Sequence, residues 1–107
     1  MTLTRADTLA AALVGRPVRT YLGMEIRVVR TEGAEIVMAN ARGGECARVA
    51  LADVQAGLDA LDAEGEVAVA LTALGPRATY VAAMLVEVDG AAYGDAPARV
   101  MRPAARG

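Results

Sequence analysis

Histidine, serine, lysine, phenylalanine and tryptophan are all missing from this 107-residue chain. Each absence removes a chemistry. A serine triad needs a serine nucleophile and a histidine base. A phosphate loop of the G-x-x-x-x-G-K-[ST] type needs its lysine. Structural zinc takes four cysteine or histidine ligands, and the chain has one cysteine, Cys46, and no histidine. The same lone cysteine excludes an intramolecular disulfide and fits a reducing compartment. Aromatic residues amount to 3%, all of them tyrosine: Tyr21, Tyr80 and Tyr93. No catalytic residue, metal or cofactor is implied, and a non-catalytic role is expected.

What remains is apolar and small. Hydrophobic residues reach 55%, yet about a quarter of the chain is alanine, which buries little area per side chain. Leu, Val, Ile and Met must therefore build the core. Met24, Met38, Met84 and Met101 fit either a forgiving core or a surface that adapts to a partner. The length suits one domain with one modest core. No stretch approaches the ~20 apolar residues that span a bilayer, so no membrane partner is expected. The apolar run after Arg5 is too short for a signal peptide and ends at Gly15-Arg16-Pro17, which points to a cytoplasmic location.

All 11 basic residues are arginine, and the net charge is −2. The charge is unevenly spread. Residues 16 to 48 hold six Arg against four Glu, whereas residues 51 to 66 hold Asp53, Asp59, Asp62, Glu64 and Glu66 with no basic residue.

Thr4-x-x-Asp7 resembles a capping box and leads into a short helix with Leu9, Ala10 and Leu13 on one face, stopping at Gly15. Val18, Thr20 and Leu22 alternate with polar neighbours, Gly23 marks a bend, and Met24, Ile26 and Val28 continue the alternation. After a turn at 31–34, Ala34, Ile36 and Met38 share a face opposite Glu35 and Val37, and Cys46 to Val49 completes a three-strand meander. Leu51, Val54, Leu58 and Leu61 then follow helical spacing up to Gly65. Val67, Val69 and Leu71 form one face of a short strand. Gly75-Pro76 opens a segment in which Val81, Met84, Leu85 and Val88 fit a helix, Pro76 suiting the first helical position; a strand over 80–88 is the rival reading.

The expected fold is α+β: a small antiparallel sheet, a three-strand meander plus a short strand, packed against two to three helices. Residues 1–90 form the domain, and the Ala, Gly, Pro and Arg composition of 91–107 predicts a loosely ordered tail. This order suits a winged helix-turn-helix poorly, since there the hairpin follows the recognition helix. The run Thr79 to Leu85 after a meander and an amphipathic helix resembles small bacterial modules found beside defence or DNA-processing proteins.

Two functional readings follow. The first is an interaction module with a protein-binding surface, a homodimer being one form, in which Asp53, Asp59 and Asp62 on the acidic helix meet the partner. The second is a nucleic-acid-binding module in which Arg19, Arg27, Arg30, Arg42 and Arg48 on and around a hairpin contact phosphates or base edges. Interleaved Glu25, Glu32, Glu35 and Glu45 could neutralise that set by cross-strand pairing. Asp59 with Asp62, or Asp62 with Glu66, could be helical neighbours in acid–base work, but no pocket or basic neighbour accompanies them. Cys46, with Arg48 on the same strand face, lacks a histidine partner and reads as a small buried or half-buried strand residue. Tyr80 beside Arg77 and Thr79 could form a polar site at a helix start; packing of its ring is the plainer reading.

Overall fold

The computed structural model describes residues 5–88, 90–95 and 97–102. Its elements run α1 (Arg5–Leu13), β1 (Pro17–Arg19), β2 (Glu25–Glu32), β3 (Glu35–Asn40), β4 (Glu45–Ala50), α2 (Leu51–Glu64), β5 (Glu66–Ala68), α3 (Leu71–Leu74), α4 (Ala78–Leu85), β6 (Ala92–Gly94) and β7 (Arg99–Met101). The class is α+β, as the sequence predicts. The Thr4 cap lies outside the described residues.

The meander has four strands, in the order β1-β2-β3-β4, all antiparallel. The extra strand arises because the alternation over 18–28 breaks at a turn. Thr20, buried, accepts the Met24 N–H on its hydroxyl at 3.0 Å and donates its own N–H to the Met24 carbonyl at 2.9 Å. Leu22 and Met24, expected on a buried face, therefore stand at the turn, 87% and 54% exposed.

Two β-bulges decide which side chains face the core. Val28 pairs with Met38 and Arg30 with Val37, so Val29 is the extra residue in β2. Ala47 pairs with Met38 and Glu45 with Ala39, so Cys46 is the extra residue in β4. Strict alternation would put Arg30 on the Val28 face and Glu45 on the Ala47 face, both toward the core. Each bulge shifts the count by one and turns a charge outward. Cys46, expected to be buried or half-buried, is exposed, because the bulge leaves it without a partner in the ladder.

Ile26, Val28, Ile36, Met38 and Val49 line the inner face and join Ala6, Ala10 and Leu13 of α1, and Val54, Leu58 and Leu61 of α2, in the core. Val81 to Leu85 of α4 are buried on all sides, which resolves the helix-or-strand ambiguity in favour of a central helix. Pro76 lies in the turn before α4, not at its first position.

Strand β4 runs into α2 with no loop between them. Ala50, at the N-cap, offers no side-chain cap, and the Leu51 N–H donates instead to the Ala34 carbonyl at 2.9 Å. The sheet thus caps the helix. At the other end Gly65 takes the left-handed conformation (φ 79°) and its N–H bonds the Leu61 carbonyl, the stop predicted from sequence.

The short strand β5 does not join the meander. It forms a second antiparallel sheet, in the order β5-β7-β6, with Val67 opposite Val100. The tail predicted over 91–107 is accordingly corrected: its residues 92–94 and 99–101 are strands, and 103–107 lie outside the described residues. Leu71, predicted on a strand face, begins α3 and is 66% exposed.

Candidate functional site

On the outer face of the meander, the register places Val37 between Arg30 and Arg48, and Ala39 between Arg27 and Glu45. Both apolar residues are nevertheless buried, because charged side chains with long aliphatic stems flank the central strand. Arg30 binds Glu32 and, at 3.0 Å, Glu45; Arg48 reaches Glu32 at 3.1 Å and Glu35 at 3.6 Å. Glu25 takes Arg27 at 3.5 Å and Arg19 at 3.9 Å. Hydrogen bonds from Arg30 and then Arg48 hold the Glu32 carboxyl below its ordinary value, while those to Glu32 raise both guanidinium groups.

Four of the five arginines singled out for nucleic acid, Arg19, Arg27, Arg30 and Arg48, thus share one face with four glutamates, and its net charge is zero. Arg42 stands apart in the β3–β4 turn, where its backbone N–H donates to the Asn40 side chain at 2.9 Å. The acidic residues proposed for a partner are dispersed. Asp62 binds Arg5 and, at 3.0 Å, Arg102, tying α2 to α1 and to the end of β7. Asp59 accepts from Gln55 at 2.9 Å. Asp53, in the first turn of α2, lies against Gly75. Among the described residues, no group of three or more His, Cys, Asp or Glu could hold a metal ion. No helix among them is long and apolar enough to cross a membrane.

The two edges of the meander differ. The β1 edge is short, begins at Pro17, and is extended by Val14, which bridges Val28 while the Gly15 N–H donates to the Val28 carbonyl at 2.9 Å. Proline and brevity both blunt an edge. The β4 edge is six residues long and contains no proline. The Leu51–Ala34 bond sets the ladder so that Val49 and Ala47 bond inward to Ile36 and Met38. The N–H and C=O of Arg48 and the N–H of Ala50 therefore point away from β3. Among the described residues no backbone bond from another segment fills them.

Along this edge runs a cleft of about 430 Å³, lined by Glu35, Glu45, Ala47, Arg48 and Arg77. The charges of Glu35, Glu45 and Arg48 belong to the ion pairs just described. Arg77, in the turn before α4, is exposed, and its guanidinium has no carboxylate partner among the described residues. In the sequence Arg77 stands out only as a neighbour of Tyr80; its place in the same cleft as Glu45, Ala47 and Arg48 depends on how α4 crosses the core. Tyr80 itself is half-buried and packs against the core.

No family model, curated protein or solved structure matches the chain.

Proposed function

We infer that this chain is a non-catalytic interaction module that holds a protein partner along the open edge of β4. The observation that carries the reading is the asymmetry of the meander: one edge strand is three residues long and begins at Pro17, and the other, six residues long, presents backbone groups unfilled among the described residues, beside a cleft. Open edges template the pairing of another chain, and folds that do not use them usually cover them. The bulge at Cys46 ends regular pairing at one end, which leaves Ala47 to Ala50 as the usable stretch. Compared with the sequence-based expectation, the docking surface moves from Asp53, Asp59 and Asp62 to β4, since Asp59 and Asp62 already have partners.

The nucleic-acid reading is the less supported. Its outer face offers phosphate no net positive charge, and non-specific affinity depends on just that excess.

Cys46, exposed on the edge and the sole thiol, gives a direct test. A benzophenone attached there by maleimide is irradiated in extract of the source organism. Protein adducts are expected from Cys46, persisting at high salt, and not from the same label at Asp59→Cys in a Cys46→Ala background. Nucleic-acid adducts, or equal labelling from both positions, would overturn the reading.

A further inference from the structure

We propose that the β4 edge takes an extended peptide as a fifth strand of the meander, and that Arg77 selects a peptide bearing one acidic side chain. The proposal rests on the edge-binding reading and adds the chemistry of the occupant. Strand addition requires backbone groups aimed outward at alternate residues, and Arg48 and Ala50 supply them. It also requires room beside the strand, and the cleft supplies it. Backbone bonds carry no sequence preference, so selectivity must come from the cleft walls.

Those walls are not electrically equivalent. Arg30 and Arg48 are shared among Glu32, Glu35 and Glu45, so the β4 side keeps one negative charge in excess. The cleft lining also includes Arg77, which has no counter-charge among the described residues. A carboxylate on the incoming strand fits that position. Arginine suits it because its planar fork can take both carboxylate oxygens. Glu35 and Glu45 on the rim repel a second acid, which limits the match to one acidic residue at a fixed place.

The test is display selection of random heptapeptides on the immobilised full chain, followed by affinity measurement on wild type and Arg77→Glu. Arg77 is exposed and its guanidinium takes part in no ion pair among the described residues, so the change breaks none of the contacts described above. Enriched peptides are expected to carry a single Asp or Glu at one position. Their affinity should fall by about tenfold on Arg77→Glu, the size expected when an attractive surface pair becomes repulsive. Replacing the peptide's acid by lysine should restore binding to that variant. N-methylation at alternate residues should abolish binding, while N-methylation at the intervening ones should not.

Enrichment of peptides without an acid, or affinity unchanged in Arg77→Glu or by N-methylation, overturns the proposal while leaving protein adducts at Cys46, and so the interaction reading, intact. No enrichment, or a concentration-dependent dimer that protects the Arg48 and Ala50 amides, also overturns it; the dimer would assign the edge to a second copy. Loss of the Cys46 adducts as well would remove the reading beneath.

Discussion

Gly57 sits in the middle of α2, where helix propensity alone recommends alanine. Exchanging glycine for alanine in a helix interior gains about 1 kcal/mol. The packing says otherwise. A Cβ at position 57 would lie 2.6 Å and 3.3 Å from the two methyl groups of Leu85 and 3.0 Å from a methyl of Leu74. Both leucines are essentially inaccessible, at 0% and 1%, so neither can withdraw without displacing further core residues. Overpacking of this kind costs about 1–3 kcal/mol. The two effects oppose each other, and the net expectation for Gly57→Ala is a loss of about 1 kcal/mol. Urea unfolding followed by far-ultraviolet circular dichroism should show a lower midpoint at unchanged slope. Leu85→Ala alone should cost about 2–5 kcal/mol. Combined with Gly57→Ala it should cost about 1 kcal/mol less than the two single losses together, because the new methyl occupies the vacated space. A Gly57→Ala protein more stable than wild type, with losses that simply add, would refute the claim that α2, α3 and α4 meet at this residue without spare room.

Three further outcomes follow from other places in the fold. Gly75→Ala should cost about 2–3 kcal/mol by urea unfolding, because φ 83° and ψ −175° form a glycine-only conformation and the added Cβ would fall onto the Asp53 carboxylate; Asp53→Ala should relieve only part of the loss. Tyr93 donates its hydroxyl to the Arg19 carbonyl at 2.7 Å, and burial, with the Glu87 charge, pushes its pKa up to about 12. Since the folded value is raised above 10, the stabilisation is complete below pH 10 and is lost as pH climbs toward 12. It amounts to about 1 kcal/mol once the solvent-facing part of the ring is discounted, and Tyr93→Phe should flatten that alkaline limb of the urea midpoint. Glu32 behaves in the opposite sense: its folded pKa is lowered, so its contribution is present above about 4.5 and disappears as pH falls through the folded value. The acid limb of the same measurement should be shallower in Glu32→Gln, and an unchanged limb would show that Arg30 and Arg48 gain nothing from this carboxylate.

The parts of the fold legible in the sequence are those written in a repeating side-chain period. The spacing Leu51, Val54, Leu58, Leu61 with Gly65 behind it defines α2 to the residue, and Ile26 with Val28 and Ile36 with Met38 mark the inner face of the sheet. A period of two cannot register an inserted residue, however, so the bulges at Val29 and Cys46 were invisible. With them went the side of the sheet on which Arg30 and Glu45 lie. Leu22 and Met24 continued an alternation that the backbone had already left for a turn. The β6–β7 hairpin eluded composition for a different reason: ladder bonds are made by the backbone, and Val100 is the only fully buried side chain those strands contribute. For the site, the glutamates able to neutralise the arginines could be seen in advance, because cross-strand pairing is a local rule. The open β4 edge and the isolated Arg77 could not, since strand order and helix crossing are set by the whole core.

The loopless passage from β4 into α2 has a consequence for how the protein opens. The first amide of the helix is a rung of the β3–β4 ladder, through the Leu51 bond to Ala34. Helix ends ordinarily fray independently of their surroundings and exchange their amide hydrogens first. Here the N-terminal turn of α2 can loosen only if the base of the hairpin separates. Hydrogen exchange should therefore report one opening event shared by Leu51, Val49 and Ile36. Any chain that lengthens the ladder at β4 will slow exchange in the helix as well, making α2 the internal gauge of whether the edge is occupied.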